Sequence, residues 1–110
     1  MKVSLVAEKL KLECLHEGNG DREVRGVYVG VLLSRVMGKA SSEYAWITIM
    51  SNVNVAAVAS LADAACVILA EDVRPDAQLA DKLGMLDMPV YTTPMAAYDI
   101  AWRIHGILAE

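Results

Sequence analysis

The run Cys66-Val67-Ile68-Leu69-Ala70 contains no polar residue, and it constrains the fold more than any other stretch. A strand with one wet face alternates apolar and polar side chains; a strand without that alternation has to be covered on both faces. Strands of this kind belong to parallel sheets flanked by helices, so the run predicts an α/β domain. Upstream, Tyr44-Ala45-Trp46-Ile47-Thr48-Ile49-Met50 is rich in β-branched and aromatic residues and reads as the clearest strand. Between the two lies a helical run, roughly Asn54 to Ala64, in which only Ser60 and Asp63 are polar after the opening residue. A helix apolar all round has to be covered all round, which a domain this small achieves with difficulty. The run therefore predicts a homodimer, with Val55 and Val58 as candidate interface residues.

The alternation continues to the end of the chain. Pro75 and Asp76 open a helix to about Lys82, with Gly84 near its end, and Pro89-Val90-Tyr91-Thr92 forms a last short strand. Thr93-Pro94 predicts the cap and first position of a final helix reaching about Leu108. Its stripe Ala97, Ile100, Ala101, Ile104, Ile107 and Leu108 faces a core. A second row, Tyr98, Trp102 and His105, makes Tyr98 and Trp102 further interface candidates. Near the start, Ser4 is placed to cap a helix with the stripe Leu5, Val6, Leu10 and Leu12. Glu13–His16 reads as a strand, residues 17–21 as a turn and residues 24–31 as a second strand. Gly26 marks a bulge or the close approach of another backbone. Leu32, Leu33, Val36 and Met37 form a two-turn helix ended by Gly38, before a polar loop to Glu43. The strands flanking Gly18 to Gly20 predict a mixed rather than purely parallel sheet.

At 110 residues the chain is a single domain, 1–110, with no internal repeat or linker. A net charge of −4 and the lack of a basic run exclude the electrostatic footprint of a nucleic-acid binder. No apolar run reaches the roughly 18 to 20 residues of a membrane helix. Glu8 and Lys9 interrupt the first segment where a signal peptide would be apolar, so the expected compartment is the cytoplasm. Cys14 and Cys66 lack a C-x-x-C partner and read as small packed hydrophobes. His16 and His105 lie in no metal-binding spacing, and no nucleophile elbow is present, so no metal, cofactor or catalytic residue is expected.

The series Asp21-Arg22-x-Val24-x-Gly26, an alternating strand, Leu32-Leu33-Ser34-x-Val36-Met37, Trp46-Ile47-Thr48 and the polar turn Asn52-x-Asn54 resembles the DRTGG domain family over nearly the whole chain. The resemblance implies a three-layer α/β/α domain with a mixed, mostly parallel sheet, akin to the amino-terminal domain of the HPr serine kinase/phosphorylase. Kinase activity is not implied, because the chain lacks the G-x-x-x-x-G-K-[ST] phosphate loop. Glu23-Val24-Arg25 is looser than the motif, and relatives carry Gln and His where this chain has Met50-Ser51-Asn52. Domains of the family accompany nucleotide-sensing cystathionine-β-synthase-type (CBS) domains in regulated pyrophosphatases, and occur in phosphotransacetylase-type proteins. The resemblance thus implies a non-catalytic regulatory or interaction module with a metabolic enzyme as partner.

An alternative is a sensor binding a nucleotide or phosphorylated metabolite at the carboxyl ends of the strands, where ligands collect in open α/β sheets. Ser51, Asn52, Asn54, Thr92 and Thr93 offer hydroxyl and amide contacts there; the same residues also serve simply as helix caps. Arg22 would hold an anion with Asp21 orienting it, Gly26 being the motif's later glycine, or the pair closes a turn. For an enzyme, the titratable candidates are Asp21, Glu71, Asp72 and His105.

Overall fold

The apolar run at Cys66–Leu69 occupies the middle of the sheet in the computed structural model, which describes residues 1–30 and 42–110. The elements are α1 (Val3–Leu10), β1 (Glu13–His16), β2 (Gly26–Val29), β3 (Tyr44–Thr48), α2 (Asn54–Ala62), β4 (Cys66–Leu69), α3 (Ala77–Lys82), a 3-10 turn (Leu83–Met85), β5 (Val90–Thr92) and α4 (Ala97–Leu108). The helix expected at Leu32, Leu33, Val36 and Met37, ended by Gly38, lies outside the described residues.

The strand order is β1-β5-β4-β3-β2. Strands β2 to β5 run parallel to one another, and β1 pairs antiparallel with β5 as the edge strand on that side. The sheet is mixed and mostly parallel, as expected, but its antiparallel pair differs from the expected one. The strands on either side of the Gly18–Gly20 turn do not pair; they form the two opposite edges of the sheet. A one-residue irregularity between Cys14 and His16 bends β1 along that edge.

Strand periodicity sorts the core into two layers. Trp46, Val67, Leu69 and Val90 point to the face covered by α2 and α3, where Val55, Val58, Ala59, Leu79 and Met88 meet them. Ala45, Ile47, Cys66, Ile68 and Tyr91 point to the other face, under Val3 and Val6 of α1 and Ile100 and Ile104 of α4. Trp46 is fully buried and its indole N–H donates to the Gly30 carbonyl at 3.0 Å, so its polar group is satisfied. Burying a side chain of that size removes roughly 200 Å² from water, about 5 kcal/mol at ~25 cal/mol per Å².

Several local expectations change. Lys2, with no side-chain cap bond, precedes α1 in place of Ser4; its buried stripe is Val3, Val6 and Ala7, and Leu5 is exposed. The last helix starts at Ala97, not at Thr93-Pro94, because the Thr93 hydroxyl closes a local turn by accepting from the Met95 N–H at 3.3 Å. Asp76 does cap α3, accepting from the Leu79 N–H at 2.9 Å. Cys66 is buried, but Cys14 is exposed on the edge strand, so only one of the two thiols is a core residue. Gly26 faces the ring of Tyr44, its register partner, rather than another backbone: a Cβ there would lie 2.9 Å from the ring.

Gly18 is the position where backbone freedom is required. Its φ is +45°, and an added Cβ would sit 2.5 Å from the Asp87 carbonyl oxygen. Gly106, inside α4, would present its Cβ to open space. Gly18→Ala is predicted to lower unfolding free energy by about 2 kcal/mol or more. Gly106→Ala is predicted to raise it by about 0.5–1 kcal/mol. Urea titration checks both, and midpoints moving in the same direction would contradict this reading.

Candidate functional site

The residues nominated from the sequence separate to opposite ends of the sheet. Asp21, Arg22 and Gly26 lie at the amino ends of the parallel strands, whereas Ser51, Asn52, Asn54, Thr92 and Thr93 lie at the carboxyl ends. A strand of four or five residues at about 3.3 Å each puts roughly 13–17 Å between the groups. The two groups do not converge on one site.

At the amino end, Arg22 makes three bonds. One terminal nitrogen donates to Asp87 Oδ2 at 2.9 Å; the other donates to Asp63 Oδ1 at 2.7 Å and to the Asp63 carbonyl at 3.0 Å. Asp63 is the left-handed residue that closes α2, and Asp87 precedes β5. One guanidinium thus fastens the approaches to β2, β4 and β5. Its side chain is 13 % exposed, so it is committed to these partners and not presented to solvent. Burial works against its charge, but the hydrogen bonds it donates to Asp63 and Asp87 outweigh that and hold its pKa above the ordinary value. Asp21 is exposed and pairs loosely with Lys2 at 3.5 Å, so it does not orient Arg22.

At the carboxyl end, the nominated polar groups are largely engaged. The Thr92 hydroxyl, buried, donates to the Val73 carbonyl at 2.8 Å. Thr93 is buried as well, and its carbonyl accepts from the Asp72 N–H at 2.8 Å. Asn52 Oδ1 accepts from the Asn54 N–H at 3.0 Å, and the Ser51 carbonyl accepts from the Asp76 N–H at 2.9 Å. These are turn and loop bonds rather than helix caps: Val53 and Ala96 precede α2 and α4, and neither helix has a side-chain cap bond. Glu71 and Asp72 hold consecutive left-handed conformations, φ 57° and 61°, while the Glu71 N–H donates to Met95 at 2.9 Å. That turn locks the end of β4 to the start of the last helical segment. Beside it lies a cleft of about 230 Å³ lined by Val29, Thr48, Ile49 and Glu71 among others, mostly apolar with one carboxylate. Strand order also matters here: β2 to β5 run in sequence without reversal, so the parallel part has no switch point to open a crevice.

The interface candidates divide too. Val55 and Val58 are buried against the sheet, at 1 % and 5 % exposure, so they face the core of their own chain and not a partner. The outer face of α2 is Ala57, Ser60 and Leu61 instead. Tyr98 and Trp102 are exposed, at 78 % and 64 %. The enzyme candidates do not converge: Asp21 lies at one end of the sheet, Glu71 and Asp72 at the other, and His105 on the outside of α4. Among the described residues no three His, Cys, Asp or Glu side chains group as metal ligands. His16, half-buried, donates through Nε2 to the Leu86 carbonyl at 2.7 Å. No helix among the described residues is long and apolar enough to cross a membrane.

Sequence reasoning missed Asp63 and Asp87 as partners of Arg22. A helix-ending Asp is a weak signal for the first, and nothing local marks the second. It also missed Arg74, whose guanidinium spans both carboxylate oxygens of Glu13 and so fastens β1 to the loop after β4.

No family model matches the chain, and no curated protein matches it. Among solved structures, the crystal structure of the CBS and DRTGG domains of the regulatory region of Clostridium perfringens pyrophosphatase, complexed with the activator diadenosine tetraphosphate, matches with a TM-score of 0.67. The match covers 92 % of this chain and 44 % of that one, at 13 % identity. The two share a fold. The chain spans less than half the length of that regulatory region, and the likeness extends to architecture alone.

The Arg22 clamp predicts that Arg22→Gln costs about 1–3 kcal/mol in urea unfolding. Asp63→Asn and Asp87→Asn, whose side chains are mostly exposed, are each predicted to cost less, about 1 kcal/mol or under. An Arg22→Gln variant as stable as the parent would show that the clamp is dispensable.

The hydrogen bonds from Arg74 hold the Glu13 carboxyl below its ordinary value of 4.5. Glu13 therefore favours the folded state above its unfolded pKa, and that contribution fades as pH falls through the lowered folded value. Glu13→Gln is predicted to flatten the fall of melting temperature between about pH 5 and pH 3. An unchanged slope in calorimetric scans would remove Glu13 from the acid response.

Proposed function

We propose that this chain is a divergent member of the DRTGG family acting as a non-catalytic regulatory or interaction module, in the form of a homodimer. The observation that carries this reading is the likeness of nearly the whole chain to part of a regulatory region, rather than to a catalytic domain. The motif residues Asp21, Arg22 and Gly26 are consistent with it. They sit in one loop and strand, where Arg22 serves as a fastener and Gly26 admits the Tyr44 ring. Scattered titratable candidates give no cleft in which acid and base could act on one substrate.

The homodimer surface is assigned to the outer row of α4. Tyr98 and Trp102 are large, exposed and one helical turn apart, and Trp and Tyr anchor protein contacts when desolvated. A partner enzyme of metabolism would be recognised by the assembled pair.

A second reading is a sensor of a nucleotide or phosphorylated metabolite at the carboxyl-end cleft. What favours it is the diadenosine tetraphosphate bound to the pyrophosphatase regulatory region. Against it, Glu71 lines the cleft and repels phosphate, and Thr92 and Thr93 have their hydroxyls engaged.

Light scattering after size exclusion tests both readings. The expected result is a dimer that Trp102→Ala shifts toward monomer, with a melting temperature unmoved by adenine nucleotides or dinucleoside polyphosphates. A monomeric parent would sink the dimer. A nucleotide at 100 times its Kd would stabilise by ~2.7 kcal/mol, and a rise of that kind would favour the sensor.

A further inference from the structure

Helix α2 carries no charged residue from Asn54 to Ala62, even on the side turned away from the sheet. Its exposed positions are Asn54, Ala57, Ser60 and Leu61, and Leu61 is 72 % exposed. A helix side that meets only water normally carries charges, so this one lacks the composition of a solvated face. Beside it the 3-10 turn buries Leu83 and the following Leu86 but sends Met85 outward, at 77 % exposure. A groove of about 310 Å³ runs between helix and turn. α2 and its cap supply Val53, Ala57 and Ser60; the turn and its approach supply Lys82, Met85 and Leu86. Among the described residues lining it, Lys82 alone carries a charge.

Two features point to a second copy of this chain as the occupant. Knob and hole lie on one face, since the long Met85 side chain stands beside a groove walled by small residues. A twofold contact requires a patch that complements itself, and Met85 of each copy entering the groove of the other meets that requirement. An unbranched thioether also fills irregular apolar gaps well. The second feature is area. A stable interface takes about 800 Å² from each partner. Tyr98 and Trp102, at their exposures, offer roughly 300 Å² between them. Their neighbours on the outside of α4 include the charged Asp99 and Arg103, whereas interface cores are depleted in charge. The α2 face supplies uncharged area that the α4 row lacks. It lies on the opposite layer of the sheet, so the two contacts do not compete.

We propose that the groove between α2 and the 3-10 turn is a second self-association face, in which Met85 of one copy seats against Ala57 and Ser60 of another. The contact is additional to the α4 pairing of the homodimer reading and does not require it. It forms at higher concentration, because a flexible methionine loses more rotamer freedom on seating than the rigid rings of Tyr98 and Trp102.

Light scattering on the whole chain, from micromolar to near-millimolar concentration, tests the contact. The expected result is a molar mass that at least doubles across that range. Met85→Asp and Ala57→Arg are each expected to abolish the rise, whereas Met85→Leu keeps it. Gln78→Asp, which adds a charge on α3 outside the groove, is expected to leave it unchanged. Met85 and Ala57 are exposed, so their variants are expected to fold, with circular dichroism as the control. In a Trp102→Ala background the rise is expected to persist from a lower starting mass, which separates failure of the α4 contact from failure of this one. A mass that does not rise, or that rises as steeply in Met85→Asp as in the parent, overturns the proposal.

Discussion

Covering both faces of β4 is the constraint from which the rest of the structure follows. Cys66, Val67, Ile68 and Leu69 are all at or below 1 % exposure, and strand geometry sends them alternately to opposite sides. Each side therefore needs its own helical layer. α2 and α3, lying in the connections between parallel strands, supply one; α1 and α4, the outermost helices in the chain, supply the other. Short strands suffice because neither face of the central strand meets water. The same requirement explains why α2 tolerates so few polar residues: Val55, Val58 and Ala59 form its inner stripe, and its exposed side carries Ala57 and Leu61 in place of charges.

Two fasteners hold the loops around this core. At the amino ends Arg22 gathers segments far apart in sequence by charge-assisted bonds to Asp63 and Asp87. At the carboxyl ends the left-handed pair Glu71 and Asp72 turns its N–H groups into the Thr93–Met95 segment. Left-handed backbone costs about 1–2 kcal/mol per ordinary residue, and the hydrogen bonds it permits offset that. Loops at both ends of the sheet are thereby tied down by the chain's own groups. Large exposed apolar side chains lie elsewhere, Tyr98 and Trp102 on the outer row of α4 among them.

The layered architecture was legible because it rests on local periodicity. The unbroken apolar run at β4, the β-branched strand at Tyr44–Thr48 and the Asp76 cap each state their environment within a few residues. Element ends were less legible where a side chain had competing uses. Thr93 carries the features of a helix cap, yet its hydroxyl closes a turn and the helix waits until Ala97. The valines of α2 show that apolar character alone does not tell an inner face from an interface; which side meets the sheet depends on how the helix is rotated against it.

The sequence by itself determined the fold class, the mostly parallel sheet and most of its elements. Burial patterns and turn chemistry act over a handful of residues, and a reader of the chain sees them directly. The tertiary structure alone decided which end of the sheet each polar residue occupies, and it separated Arg22 from Ser51, Asn52 and Thr93. It also decided that β1 pairs with β5 across the width of the chain, bringing Cys14 beside Tyr91. Such partners are set by strand order and crossover geometry, which no local spacing encodes.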